Sequence, residues 1–415
     1  MYFFYNILVQ LVGFLLKPIA LFNKKIALFL NGRKQTFQKL QKIKKTDNVI
    51  WIHTASLGEF EQGRPIIEAI KSNPKFRNYK IVLSFFSPSG YEIRNDYDKV
   101  DVVVYLPLDT KKNVKRFLDL VHPEIAIFVK YEFWPNLLRE LQKRNIKTIV
   151  VSAIFRSNQN FFKFNFIGKF MRNALQAITH FFVQDAASKN LLKSVNFNNV
   201  YICSDTRFDR VYNIVNQNNK IEKIANFIQP ENQVLVAGST WQKDEELILN
   251  YINKKAGSNE KFIIAPHTMD AKNLKQLKNN ITKKVQFYSD KNINPETQVL
   301  IVDTIGLLSK IYAYATVAYV GGGFGAGIHN ILEPATFGIP ILIGPNYTKF
   351  KEAKDLVTQK GCFVVSNQES FDKIVNKLNK EADFLKKSGE ICEKYVKSNL
   401  GGTACIMQYL ERQIS

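Results

Sequence analysis

At 415 residues the chain is too long for one ordinary hydrophobic core, so two domains are expected. An apolar share of 46% excludes a disordered or low-complexity chain. Four cysteines without metal-ligand spacing point to reduced thiols in a cytoplasmic protein, with neither a zinc site nor a disulfide framework. The net charge of +22 is unevenly spread, because no Asp or Glu precedes Asp47 while nine lysines and arginines do.

The first sixteen residues are uncharged and rich in Phe, Tyr and Leu, and Lys17, Pro18 and a second apolar patch at 19–22 follow. A cleaved signal peptide carries its basic residues before the apolar run, not after it. The run is slightly short of the ~20 residues that span a bilayer. Three readings fit: a helix on the membrane surface, a short anchor, or a helix packed on the domain. The adjoining lysines favour contact with anionic headgroups over a nucleic-acid partner. Residues 1–46 are therefore expected to associate with the membrane. Positive charge after the apolar run keeps the main body on the cytoplasmic side.

From Asn48 onward, apolar runs alternate with amphipathic segments, the pattern of parallel strands joined by crossover helices. Seven runs (49–53, 81–86, 102–106, 125–129, 148–153, 180–183, 200–202) precede the polar stretch 212–232, and seven (234–238, 262–266, 285–288, 299–302, 317–320, 339–343, 362–365) follow it. This predicts an α/β protein of two doubly wound, Rossmann-like domains, 47–211 and 233–415, joined by a linker at 212–232. The active site is expected in the cleft between them, at the carboxyl ends of the strands.

In the first domain, the run WIHTASLGEFE at 51–61 is a strand, a short loop and a helix start. Glu59, just past Ser56 and Gly58 at a strand's carboxyl end, is placed to act as a general base on a substrate hydroxyl. The same position also suits a plain helix-dipole role worth ~0.3–1 kcal/mol. Glu61 reads as the solvated charge of the two. The serine-rich turn after the second strand, with Ser87, suits helix capping or a polar acceptor. Glu132, set among aromatics before a helix-starting proline, is expected to be half-buried and partnered. Arg156, after the fifth strand, suits an anionic group.

In the second domain, Ser239 and Thr240 end the opening strand, and His267 ends the next. The stretch 321–345 carries three glycines and a further glycine loop, and then His329, Asn330 and Glu333 open a predicted helix. Backbone N–H groups freed by Gly322 and Gly323 suit a phosphate, and Glu333 suits ribose hydroxyls. No His, Cys or Asp spacing calls for a metal, and neither domain opens with a P-loop or a dinucleotide glycine fingerprint.

With these motifs assembled, the sequence resembles the 3-deoxy-D-manno-octulosonic acid (Kdo) transferases of lipopolysaccharide assembly, glycosyltransferases of the two-domain GT-B fold. The motifs that carry the resemblance are WIHTASLGEFE (51–61), FSPSG (86–90), YEFWPN (131–136), DTRFDRV (205–211), AGST (237–240), APH (265–267), DTIG (303–306) and GIHNILEPATFGIPILIGP (327–345). It implies an inverting, metal-independent transfer of Kdo from CMP-Kdo to a lipid A precursor at the cytoplasmic face of the inner membrane, without a cofactor or nucleic acid. In that setting Glu59 matches the general base and Glu132 a supporting glutamate. Ser239, Thr240, Asn330 and Glu333 match the CMP pocket. The family's Ala-Pro-Arg-His reads Ala265-Pro266-His267-Thr268 here, so the arginine expected on the nucleotide phosphate is absent. The family's frequent Ser is Gly323. Two other readings are a different GT-B transferase or sugar-nucleotide epimerase, and an inactive nucleotide-sugar binder. The run SLGE and the YEFWP motif of the first domain count against the transferase and epimerase alternatives.

Overall fold

Each of the fourteen apolar runs forms a strand in the computed structural model, which describes residues 1–414. The first sheet holds β1 (Asn48–Thr54), β2 (Tyr79–Phe85), β3 (Val102–Tyr105), β4 (Ile125–Val129), β5 (Lys147–Ala153), β6 (His180–Val183) and β7 (Val200–Ile202). The second holds β8 (Gln233–Thr240), β9 (Glu260–Pro266), β10 (Val285–Phe287), β11 (Val299–Ile301), β12 (Val317–Val320), β13 (Ile341–Ile343) and β14 (Cys362–Val364). Both sheets are parallel, in the orders β3-β2-β1-β4-β5-β6-β7 and β10-β11-β9-β8-β12-β13-β14. The order reverses at β1/β4 and at β8/β12, and in such sheets a crevice opens outside the carboxyl ends at the reversal.

Helices cover both faces of a parallel sheet, so its strands are apolar at nearly every position. In β1, Trp51 packs into a core with Phe117, Phe128 and Phe181, while its neighbours Ile50 and Ile52 pack on the opposite face with Ile127 and Val129. In β8, Leu235 and Ala237 face one core and Val234 and Val236 the other.

The chain forms two compact units, Met1–Asp209 together with the chain from Leu400 onward, and Arg210–Asn399. This differs from the expected boundaries at both ends of the second domain. Stretch 212–232 is no free linker, since the helix Glu222–Phe227 buries Ile224 and Phe227 in the second unit's core. The C-terminal helix Gly402–Gln413 belongs to the first unit, where Ile406, Met407 and Leu410 join the core on the Ile50 face. Asp209 accepts from the N–H groups of Gly401 (2.7 Å) and Thr403 (2.6 Å) at its start. Cys203 and Cys405, 202 residues apart, are joined there in a disulfide with Cα atoms 6.3 Å apart. The expectation of four reduced cysteines fails because spacing along the chain carries no trace of a pairing made by this returning helix. Cys362 and Cys392 are buried free thiols.

The N-terminal segment also differs from a uniform membrane-facing stretch. Arg33, in the helix Lys24–Lys34, is buried with its guanidinium 3.4 Å from the Phe29 ring centroid and donates to the Phe86 carbonyl at 2.8 Å. Burial lowers its pKa to about 9. Thr36 donates to the Tyr105 carbonyl at 2.9 Å. Residues 24–46 are thus largely part of the first unit's body, and the continuous apolar surface lies in the helix Tyr2–Ile19 and the two residues Leu21 and Phe22.

That helix is long and apolar enough to cross a membrane, and none of its residues is buried. One side is nevertheless tied down. Tyr5 donates to Asp109 at 2.7 Å, Asn136 donates to Asn6 at 2.9 Å, and Tyr2 packs edge-on against Phe170 at 4.8 Å. Asp109 also accepts from the N–H groups of Asn136 and Leu137, each at 2.9 Å. Burial pushes Asp109 up to about 6 although Tyr5 and both N–H groups oppose the rise. A native pKa above the unfolded ~3.9 means that the fold takes up a proton, so the contribution of Asp109 is complete below ~3.9 and is lost as pH rises through about 6. Unfolding titrations at pH 4 and pH 7 should show the wild type losing roughly 2–3 kcal/mol more than Asp109→Asn over that interval.

Candidate active site

In the first unit, β1 leads through Ala55 and Ser56 into the helix Leu57–Ser72. Ser56 is the N-cap residue in extended conformation, yet its side chain does not cap the backbone. Its hydroxyl donates to the Glu59 carboxylate instead, which orients that carboxylate in the helix's first turn, half-buried beside the exposed Gly58. The loop after β2 packs on the same turn. The Ser87 N–H donates to the Ala55 carbonyl at 2.7 Å, and its hydroxyl caps the helix Pro88–Arg94 by accepting from the Ser89 N–H. A Cβ on Gly90 would stand 3.0 Å from the Ser56 carbonyl carbon, so glycine allows this approach. Ser56, Glu59 and Ser87 therefore gather at one sheet edge. Glu61 is not the solvated charge expected of it, for its carboxylate lies 3.5 Å from Arg94 and its side chain is only 19% exposed.

Glu132 follows β4 beyond Lys130, whose φ of +65° turns the chain. Its carboxylate accepts from the Trp134 indole at 3.1 Å and lies 3.6 Å from Nε2 of His53, which is fully buried. His53 Nδ1 is 2.8 Å from the Ser84 hydroxyl, which itself accepts from the Trp51 indole at 2.8 Å. His53 Nδ1 also lies 3.2 Å from the Ser84 carbonyl, so that side of the ring is held by Ser84 while Nε2 faces the Glu132 carboxylate from beyond hydrogen-bond distance. His53 was missed in the sequence, where the one polar residue inside the apolar run of β1 was its signal. Arg156 is exposed beyond β5. Burial raises the pKa of Tyr131 above its usual range, Arg156 opposes the rise and Glu59 adds to it, which places all three in one electrostatic neighbourhood.

In the second unit, the three glycines after β12 each have a different reason. A Cβ on Gly321 would strike the Ser239 carbonyl at 2.3 Å, Gly322 has φ +91°, and a Cβ on Gly323 would meet the Gly344 backbone at 2.6 Å. The loop is anchored by Asp244, whose side chain is fully buried. Its carboxylate accepts from the Gly322 N–H at 2.9 Å, the Trp241 N–H at 2.9 Å and the Tyr319 hydroxyl at 2.7 Å. The N–H of Gly322 is thus spent inside the protein and is not available to a phosphate. In the sequence Asp244 looks like one member of an acidic helix face, and only its position four residues after a strand end hinted at a cap.

Around this loop, the His267 N–H donates to the Thr240 carbonyl at 2.9 Å, and the Thr240 hydroxyl donates to Glu245 at 2.9 Å. Trp241 stacks on His267 with centroids 4.4 Å apart, and the His267 and His329 rings are 4.7 Å apart. The Trp241 indole donates to His329 Nε2 at 3.2 Å, which leaves the His329 proton on Nδ1. Burial, and then His267, lower the pKa of His329 and keep the ring neutral near pH 7, although Asp244 acts the other way. Asn330 donates to Glu333 at 3.2 Å and accepts from the Leu332 N–H at 3.2 Å. The helix here is only Leu332–Thr336, so it begins three residues after His329, and Glu333 stands in its first turn. Ser239 has φ +53° at the break in register between β8 and β9, and Ser152 has φ +54° at the break between β5 and β6. Strain of ~1–3 kcal/mol at a non-glycine residue persists where the surroundings over-determine it, commonly at a site.

Comparison with known proteins extends these findings. Residues 31–210 match the family model described as 3-deoxy-D-manno-octulosonic-acid transferase (kdotransferase). The chain is 31% identical over 367 residues to the 3-deoxy-D-manno-octulosonic acid transferase of Aquifex aeolicus, covering 86% of this chain and 94% of that one. It is 24% identical over 386 residues to the protein of the same name from Haemophilus influenzae, covering 88% of each. Among solved structures, UDP-GlcNAc 2-epimerase from Neisseria meningitidis has a TM-score of 0.63 at 14% identity, covering 88% of this chain and all of that one. A glycosyltransferase from Rickettsia africae has a TM-score of 0.56 at 12% identity, covering 89% and 98%. At such identities these two structures speak for the fold alone, a GT-B-like pair of parallel α/β domains.

Removing the Asp244 carboxylate takes the partner from three donors, those of Tyr319 and Gly322 buried. Asp244→Ala should destabilise the second unit by about 3 kcal/mol or more in chemical denaturation, with Asp244→Asn falling between it and the wild type.

Proposed function

Because this chain belongs to the 3-deoxy-D-manno-octulosonic acid transferase family, glycosyltransferases of lipopolysaccharide synthesis, we propose that it moves Kdo from CMP-Kdo to a lipid A precursor with inversion at the anomeric carbon. The observation that carries this reading is 31% identity, over an alignment spanning 86% of the chain, to a relative of that name, combined with Glu59 oriented by Ser56 at the end of β1.

In the proposed step, an acceptor hydroxyl attacks the anomeric carbon of Kdo. The new carbon–oxygen bond forms as the bond from that carbon to the CMP phosphate oxygen breaks, and the hydroxyl proton passes to Glu59. CMP departs with the bonding electrons. Glu132, held by Trp134 and facing His53, supports the carboxylate environment without touching the reacting atoms. Ser56, Gly58, Ser87 and Arg156 line the acceptor side of the reaction, with Arg156 the charge for an anionic group on the acceptor.

The second unit takes the donor. Glu333 receives the ribose hydroxyls, oriented by Asn330. Ser239 and Thr240 approach the nucleotide beside Gly322 and Gly323. His267 stands where the family uses arginine toward phosphate, with the Nδ1–H of His329 beside it as a further hydrogen-bond donor. At the membrane, we place the N-terminal helix in the plane of the cytoplasmic face of the inner membrane. Its inward side is held by Asp109, Asn136 and Phe170, and its outward side exposes Phe3, Phe4, Leu8 and Phe14.

The test is a transfer assay with CMP-Kdo generated in situ and a tetra-acylated lipid A precursor. Glu59→Gln should lower kcat by at least ~100-fold while CMP binding, followed by calorimetry, stays unchanged. Full activity in the variant would remove Glu59 as the base. A folded, CMP-binding wild type that makes no product would remove the assigned acceptor or sugar.

A further inference from the structure

The N-terminal helix is not the only apolar surface the first unit presents. Phe164 is 88% exposed, Phe166 84% and Ile167 50%, at the loop before the helix Phe166–Leu175 and in its first turn. Large exposed apolar groups side by side mark a contact surface in a folded protein. This loop is also built to hold them outward. Arg172 donates to the carbonyls of Phe161 at 2.7 Å and Lys163 at 2.9 Å, and its guanidinium lies 5.5 Å from the Phe164 ring centroid. Asn165 caps the helix by accepting from the Gly168 N–H at 2.8 Å. A Cβ on Gly168 would collide with the Lys163 carbonyl, so glycine permits the tight return.

The loop adjoins the N-terminal helix. Phe166 stands one turn before Phe170 on the same helical face, and Phe170 packs against Tyr2 at 4.8 Å and Tyr5 at 5.8 Å. Charge points the same way. No Asp or Glu occurs from 141 to 184, just as none precedes Asp47, while Lys163 and Lys169 flank the exposed phenylalanines. The fold therefore brings two acid-free, basic and apolar stretches, distant in sequence, onto neighbouring surface.

We propose that Phe164, Phe166 and Ile167 form a second insertion point into an anionic phospholipid bilayer, beside the N-terminal helix. The proposal rests on the reading that this helix lies on the membrane. Aromatic and aliphatic side chains enter the headgroup boundary while Lys163 and Lys169 meet lipid phosphates. Two contacts hold the first unit at a set height and rotation over the bilayer, which one helix lying in the plane cannot do.

Flotation of the full chain with phosphatidylethanolamine/phosphatidylglycerol vesicles tests this, with phosphatidylcholine vesicles as the uncharged comparison. Phe164→Ser/Phe166→Ser should weaken partitioning into anionic vesicles by about tenfold or more while circular dichroism and CMP binding stay as in the wild type. Phe4→Ser/Leu8→Ser serves as the separate probe of the N-terminal helix. If that pair loses binding while the loop pair partitions like wild type, the second insertion point is overturned and the helix reading stands. A wild type that ignores anionic vesicles overturns both. Sedimentation without lipid completes the test: a wild-type dimer that the loop substitutions dissolve would reassign the patch to self-association and overturn the bilayer as its partner.

Discussion

One buried carboxylate organises the rim at the carboxyl ends of the second unit's central strands. Asp244 takes hydrogen bonds from Trp241 after β8, Tyr319 on β12 and Gly322 in the glycine loop. These donors come from the two strands flanking the reversal of sheet order and from the loop beyond, so a single group sets the distance between them. A buried charge is tolerated only when its hydrogen-bonding capacity is filled, and here three donors fill it. The glycines then become intelligible as packing requirements. Gly321 gives way to the Ser239 carbonyl and Gly323 to Gly344, and the loop closes around His329 and Trp241.

The first unit uses the same device at Asp205. This carboxylate accepts from Gln62 at 2.7 Å and Gln184 at 2.9 Å and pairs with Arg207 at 2.8 Å. Burial pushes its pKa up, but Arg207 and the hydrogen bonds outweigh that and hold it below the usual carboxylate range. Thus the helix carrying Glu59, the end of β6 and the start of the helix Thr206–Val215 are tied at one point. Rigid support of this kind suits the role of base proposed for Glu59. The polar line from Trp51 through Ser84 and His53 to Glu132 adds a second support, drawn through an otherwise apolar sheet.

The N-terminal helix and the turn that carries Glu59 share the first unit, and neighbouring residues support both. Asp109 caps the helix Pro135–Lys143 and also receives Tyr5 from the N-terminal helix. Arg33 stacks on Phe86, the residue that begins the serine-rich turn near Glu59, and Phe86 stacks in turn on Trp134, the donor to Glu132.

The amino-acid pattern by itself determined the secondary structure and fold class. All fourteen strands were legible because parallel strands buried on both faces leave continuous β-branched and aromatic runs that no amphipathic helix imitates. Glu59, Glu132 and the glycine stretch were legible as candidates because each sits at a strand end among residues chosen for turns. Only the tertiary structure decided which distant residues meet. Asp244 has the composition of a solvated helix face, His53 that of a core residue, and Glu61 that of a free charge, until their neighbours are known. The return of the helix Gly402–Gln413 to the first unit, the pairing of Cys203 with Cys405, and the gathering of two acid-free stretches at Phe170 are equally silent in one dimension. Periodicity reports which side of an element is buried, but the partner that buries it is set by packing between segments far apart in the chain.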